Sequence, residues 1–244
     1  MPIQLDSQPV LTTALAHRSI RKFAAEPVAP EQLTAVLEVG RAASSSIFMQ
    51  CIHIIRVTDP AVRERLYQIA AKQEYVRLAP EFLVFCIDYT KHRRLVPDIQ
   101  IDYTEALLLG AVDAGITAQN VLLAAESLGL SGVYIGSLRN DIAAAAEVLG
   151  LPDTAVPLFG LCLGHPAQNP LYRPRLPLDA IVSENRYREC GSDTLDVYNR
   201  ELAAYYQARS GLDLDWRGQI ARTLAQPLRP HILPFLQARG FAKK

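Results

Sequence analysis

Apolar positions along the chain alternate between helical spacing and short unbroken runs. Pro30 sits at a first helical turn, and Leu33, Val36, Leu37 and Gly40 beyond it fall on one face. Asp59 and Pro60 open a second such segment, with Val62, Leu66, Ile69 and Ala70 on one side. Between and after these helices, Cys51 to Thr58, Glu81 to Tyr89 and Val156 to Leu163 are dense in Ile, Val, Leu and Phe, and the latter two are closed by Asp88 and Gly164. Runs of this length, apolar at nearly every position, predict interior strands covered on both faces. Ser131 to Ser137 reads as another strand-like segment ending in a small-residue turn, before Asn140 and Asp141 start a further helix.

The longest pattern runs from Tyr103 to Leu130. Leu107, Leu108, Val112, Ile116, Val121, Leu122 and Ala125 leave it almost no polar face, which predicts a central helix buried on most sides. Asp113, Gln119 and Asn120 interrupt it and need partners there, from a core network, a subunit interface or a cofactor pocket. After Pro166 the texture turns to Pro, Arg and Tyr, with amphipathic helices expected at Asp193 to Arg209 and Trp216 to Leu224. The chain therefore divides into a core, residues 1–165, and an extension, residues 166–244.

Composition narrows the function classes. A chain of 244 residues that is 50% hydrophobic can bury a large core, and its 25 basic and 25 acidic residues cancel. Zero net charge argues against nucleic acid as a partner. Asp113, Gln119, Asn120 and Glu126 break up the longest apolar runs and no basic flank precedes an apolar core, so neither a membrane span nor a leader is expected and a cytoplasmic location follows. Cys51, Cys86 and Cys162 lie in apolar runs, Cys190 stands alone and no CxxC pair occurs, which reads as reduced thiols. The five histidines lack ligand spacing, so no metal is expected.

Candidate chemistry concentrates near the N-terminus, where His17-Arg18-Ser19-Ile20-Arg21-Lys22-Phe23 gathers three cations, an imidazole and a hydroxyl. Arg18 and Arg21 present planar forks that suit phosphate oxygens, each charge-assisted bond contributing about 1.5–3 kcal/mol. A basic, solvated turn is the alternative. Ser44-Ser45-Ser46 offers hydroxyls suited to a ribityl chain or phosphate, although serine-rich turns are common. Gly129, Gly132 and Gly136 do not fit GxGxxG, and the chain has neither a GxxxxGK[ST] loop nor a GxSxG elbow. Phosphate binding must then come from side chains, and Arg173 and Arg175 in a Pro-rich turn join Arg18 and Arg21 as candidates.

HRSIRKF, RAASSSIFMQ, AESLGLSGVYIGSLRN, PLFGLCLGHPAQNP and RPRLP occur in this order, and with them the chain resembles the FMN-dependent nitroreductase family, in its oxygen-insensitive NADPH nitroreductase and NADPH-flavin oxidoreductase branch. The resemblance runs from about Ala16 to the C-terminal helices. It implies an α+β fold with a central mixed sheet flanked by helices, and a homodimer with the long helix at its interface and FMN bound there. Residue by residue, it assigns His17, Arg18, Ser19 and Arg21 to the phosphate and ring edge, Gln73 to the ribityl or pyrimidine side, and Arg173 and Arg175 to the basic clamp. Ser45, Ser46, Phe48 and Gln50 come from the second subunit. Tyr134, Ile135, Gly136 and Ser137 line the ring, with the Gly136 N–H toward N5.

The implied activity is ping-pong: NADPH gives a hydride to the flavin, then a nitroaromatic or quinone takes two electrons, with no protein nucleophile. Phe48 shapes the acceptor's site. Arg209 matches the family's grip on the adenosine 2′-phosphate, and it is also a residue type favoured at any helix C-terminus. Three departures stand out. Arg173 replaces a lysine, the loop Gly211-Leu212-Asp213-Leu214-Asp215 is shorter and acidic, and Ile47 replaces a serine, which should favour quinones and bulky aromatics. A flavin reductase feeding another protein and a slow flavin-binding sensor are the rival functions.

Overall fold

The structure is a computed structural model, and residues 8–244 of it are described; the first seven positions, where a leader would begin, lie outside the described residues. The described chain forms two compact units, one running to Asn169 and taking back His231–Lys244, the other Pro170–Pro230. Of the stretch expected as an extension, residues 231–244 thus belong to the first unit.

The first unit is built on four strands, β1 (Ile52–Arg56), β2 (Glu81–Asp88), β3 (Ser131–Ile135) and β4 (Ala155–Gly164), in the order β1-β2-β4-β3. Every pairing is antiparallel, which corrects the mixed sheet implied by the resemblance. All eight residues of β2 are buried. Phe82, Val84 and Cys86 pack on one face and Leu83 and Phe85 on the other, the strand period of two. Each large side chain fully buried this way contributes about 1.5–3 kcal/mol. The ladder slips between Phe85 and Cys86, where Phe159 and Pro157 of β4 are the partners and Leu158 is left over. Pro157 has no N–H for the ladder, so a bulge is the compatible geometry, and the Arg139 guanidinium donates to the Leu158 carbonyl.

Helices cover both faces. On one lie α3 (Pro60–Ile69), α4 (Glu74–Leu78) and α7 (Ile142–Val148), through Leu66, Tyr67, Val76 and Ala145. On the other lie α2 (Pro30–Arg41) and α6 (Thr104–Ser127), through Leu33, Val36, Val121 and Leu122. The caps expected from the sequence operate: Asp59 accepts from the N–H groups of Ala61 (2.7 Å) and Val62 (3.3 Å), and Asp141 from Ala144 (3.0 Å). Tyr103 offers α6 no side-chain cap, and the Lys244 carbonyl accepts from the Thr104 N–H (3.0 Å) and hydroxyl (2.8 Å) instead. Two short helices, α1 (Pro9–Ala16) and α5 (Thr90–Leu95), complete this unit with α10 (Ile232–Ala238), whose Leu236 packs with Phe241 against Ile142 and Val156.

The expectation that α6 is buried on most sides is corrected. Its buried face comprises Gly110, Asp113, Ala114, Thr117, Ala118, Val121, Leu122 and Ala125, whereas Leu108, Val112 and Ile116 are 54%, 55% and 40% exposed. By length and apolar content α6 is also able to cross a membrane despite its polar residues. Its packing on the sheet and on α2 is what makes it a core helix here.

The second unit holds α8 (Ser192–Ser210) and α9 (Trp216–Leu224), joined through Gly211 in a left-handed conformation (φ 64°). Tyr198, Leu202 and Tyr206 form its core with Leu176, Leu214 and Trp216. Asp215 of the acidic loop caps α9 by accepting from Gly218 N–H (2.7 Å) and also accepts from Asn199 Nδ2 (2.8 Å).

The α2–α6 crossing depends on Gly40, because a Cβ there would lie 2.4 Å from Val121 Cγ2. Gly40→Ala is expected to cost about 1–3 kcal/mol in urea unfolding at unchanged m, and adding Val121→Ala should recover part of the overpacking. An unshifted midpoint for the single variant would show that the helices separate freely.

Candidate flavin and acceptor site

The basic segment lies between α1 and α2 and is fastened by backbone to β3 and to the stretch just after β4. Ile20 N–H donates to Gly132 O (3.0 Å), Ala24 N–H to His165 O (2.9 Å), and Ala167 N–H to Lys22 O (2.9 Å). These bonds anchor alternate parts of the segment by backbone and leave its polar side chains at the surface. Arg18 donates to the carbonyls of Ala16 (3.0 Å) and His17 (2.8 Å), and Arg21 to Ser19 O (3.4 Å). The planar fork of a guanidinium suits an anion.

His17 is held from behind, its Nδ1 2.5 Å from Glu126 Oε1. Glu126 stands in the last turn of α6, where the helix dipole disfavours a carboxylate, and its buried Oε2 has no hydrogen-bond partner among the described residues. The apolar pattern shows Glu126 only as an interruption; a carboxylate at the wrong end of an apolar helix is the signal that could have marked it.

The far end of β3 leads into Gly136 and Ser137. Ser137 Oγ donates to Gln73 Oε1 (3.0 Å) and to Ala70 O (3.3 Å), so the structure brings Gln73 and Ser137 together. Tyr134 donates its hydroxyl to Gln119 Oε1 (3.3 Å); burial and the nearby Glu126 charge raise its pKa, so it stays a neutral donor. The glycines at 132 and 136 separate by role. A Cβ at Gly132 would lie 2.7 Å from Cys162 O, a demand of sheet packing, while at Gly136 it would meet only the Arg139 guanidinium at 3.4 Å. The amide of Gln73 and the hydroxyl of Ser137 beyond one end of β3, and the hydroxyl and cations along 17–21 fastened at its other end, are donor types that suit the polar rim of a flat heteroaromatic ring and a phosphate tail.

Ser45, Ser46, Ile47, Phe48 and Gln50 form a turn elsewhere on the first unit, between α2 and β1. Ser45 Oγ (2.8 Å) and Ser46 Oγ (2.8 Å) both donate to Asp113, so outside this turn those hydroxyls can act only as acceptors. The partner that Asp113 required is therefore supplied within the chain. Arg173, Arg175 and Arg209 belong to the second unit. Arg173 donates to the Tyr206 hydroxyl, Arg175 to Arg173 O (2.9 Å), and the Arg209 guanidinium lies 5.9 Å from the Tyr205 ring centre. Cys51, Cys86 and Cys162 are buried free thiols, and burial pushes Cys86 up to about 12.

The chain belongs to the nitroreductase family: the family's profile matches residues 14–165, and that of the nitroreductase family C-terminal domain matches residues 173–244. It is 51% identical to the NADPH-flavin oxidoreductase of Vibrio harveyi, over 96% of this chain and 98% of that protein. It is 47% identical to the oxygen-insensitive NADPH nitroreductase of Salmonella typhimurium, over 97% and 99%. Among solved structures, nitroreductase A from Vibrio parahaemolyticus superposes with a TM-score of 0.94 at 50% identity, covering 97% of this chain and 99% of that one.

Ile47 (φ 45°) is a β-branched residue in left-handed backbone. Ile47→Gly is expected to relieve this strain and raise stability by about 1 kcal/mol, read as an upward shift of roughly 2–4 °C in the thermal midpoint. A lower midpoint would mean that the isoleucine's packing outweighs its backbone cost.

Proposed function

We propose that this protein is an FMN-dependent NAD(P)H oxidoreductase that reduces nitroaromatics and quinones by two electrons at a time, with NADPH as the expected donor. Similarity along nearly the whole chain to two NADPH-dependent reductases carries this reading. Bound FMN supplies the capacity to take a hydride from the nicotinamide and pass two electrons to an acceptor. The protein binds, orients and shields. His17, Arg18, Ser19 and Arg21 hold the phosphate, Gln73 and Ser137 hold the polar rim of the ring, and Tyr134, Ile135 and Gly136 line its face. Glu126, by holding His17, fixes that imidazole's direction. Ser45, Ser46 and Gln50, with Ile47 and Phe48 at the acceptor's side, are contributed by a second subunit.

Dimerisation is supported by the stripe Leu108, Val112, Ile116 on α6, exposed and apolar at helical spacing, beside Gly115, where an added Cβ would meet nothing within 4 Å. Such a face buries itself against a second copy without steric adjustment. The buried free thiols suit the cytoplasm. Arg209, exposed at the last turn of α8, is proposed to bind the 2′-phosphate of NADPH.

A second reading, reduction of free flavin for another protein, is favoured by the Vibrio harveyi relative's activity. Anaerobic stopped-flow absorbance at about 450 nm separates the possibilities. Bleaching by NADPH and recovery on adding a quinone, faster than with a small nitrofuran or free FMN, is the expected result; best recovery with free FMN would favour the second reading, and no bleaching with either nucleotide would remove the reductase assignment. Arg209→Ala is expected to raise the NADPH KM about tenfold and leave the NADH KM nearly unchanged. Equal changes in both would exclude the phosphate contact.

A further inference from the structure

The turn between α2 and β1 holds Ile47, Phe48 and Gln50 in left-handed backbone, with φ of 45°, 57° and 51°. Such a conformation is costly for any side chain and more so for a β-branched one, so the turn has to be held. Asp113 does much of the holding. Its side chain is buried in a residue only 1% exposed, and it accepts from Ser45 Oγ (2.8 Å), Ser46 Oγ (2.8 Å) and the Ser46 N–H (3.0 and 3.1 Å to its two oxygens). Ser45 Oγ in turn accepts from the Gln50 N–H (2.7 Å), closing the base of the turn. At the far end His92 Nε2 lies 2.6 Å from Met49 O, with its ring 5.3 Å from that of Tyr89.

These polar groups of the turn point inward, while the side chains at its crest point out: Ile47 is 85% exposed and Phe48 79%. A buried carboxylate, strained backbone and exposed apolar side chains are each unfavourable alone. Together they make a rigid apolar crest in one orientation.

We infer that Asp113 is a positioning residue for acceptor selectivity, acting with His92 as the second anchor to fix the direction of Ile47 and Phe48. This rests on the proposed role of these two side chains in shaping the acceptor site, and adds that their orientation is set from beneath. The acceptors concerned are planar aromatics large enough to touch the crest, such as bicyclic quinones, as against a single-ring benzoquinone. Loss of the mount lets the turn relax and the crest swing, weakening recognition of the large acceptor while the reaction with NADPH proceeds.

The test uses the holoenzyme and the ratio of kcat/KM for a bicyclic quinone to that for benzoquinone, in the wild type, Phe48→Ala, Asp113→Asn and the double variant. Phe48→Ala is expected to lower the ratio about tenfold, and Asp113→Asn by a similar factor through the acceptor KM, with the double variant no lower than Phe48→Ala alone. Because both quinones are compared on the same FMN-loaded variant, any change in the flavin's own reactivity cancels in the ratio, and hydrogen exchange of the Ser46 and Gln50 amides should accelerate in Asp113→Asn. If Phe48→Ala leaves the ratio unchanged, the acceptor-site reading falls and the inference with it. If Phe48→Ala lowers the ratio but Asp113→Asn does not, or the two losses multiply, the inference is overturned and the reading stands. Should Asp113→Asn fail to yield holoenzyme, His92→Phe takes its place in the same cycle, because it keeps a ring against Tyr89 but loses the bond to Met49. A lowered ratio that does not multiply with Phe48→Ala then supports the inference, and an unchanged or multiplying one overturns it.

Discussion

A strand with all eight residues buried needs cover on both sides, and most of the first unit follows from meeting that need for β2. Its alternate side chains commit one helical layer to each face, which places α6 on one side and α3, α4 and α7 on the other. Once α6 is pressed to the sheet and Gly40 lets α2 approach it, Asp113 is carried into the interior beneath the turn that follows α2. Glu126, at the other end of the same helix, is carried beneath His17. One helix thus supplies a carboxylate under each of two separate polar segments. Asp113 gives the turn its shape through both of its oxygens, while Glu126 steadies His17 through one.

Much of the frame was legible because its signals are local. Pro30, Asp59-Pro60 and Asp141 mark helix starts by chemistry that acts within one turn, and β2 and β4 are apolar at nearly every position because both of their faces are covered, whereas β1, expected as an interior strand, is an edge strand with no residue fully buried. Pairing direction was not legible, since a buried strand reads alike in parallel and antiparallel sheets. The exposure of α6 was misjudged for a related reason: an apolar residue records that a surface will be covered, but not by which chain. Leu108, Val112 and Ile116 have the same composition as the inward face and a different environment.

The site was legible in its residue types and less so in its wiring. HRSIRKF marked a cluster of cations, and the polar residues of α6 announced a need for partners. That Ser45 and Ser46 would answer Asp113, across 68 and 67 positions of chain, depends on the helix–sheet geometry and on nothing in the serine run itself. Gly132 likewise answers to the sheet and not to its place in the motif, since the Cys162 carbonyl leaves no room there for a Cβ.

Fastening Ile20 to β3 and residues 22–24 to the stretch just after β4 also has a consequence for solubility. β3 ends the four-strand order, and its exposed backbone groups would form a template for another chain's strand. The bonds of Ile20 to Gly132 and of Ala24 and Lys22 to the stretch just after β4 occupy part of that margin with the chain's own backbone, flanked by Arg18, Arg21 and Lys22. The residues that present cations outward therefore also act as gatekeepers against aggregation, and loosening the segment would endanger the monodispersity of the protein.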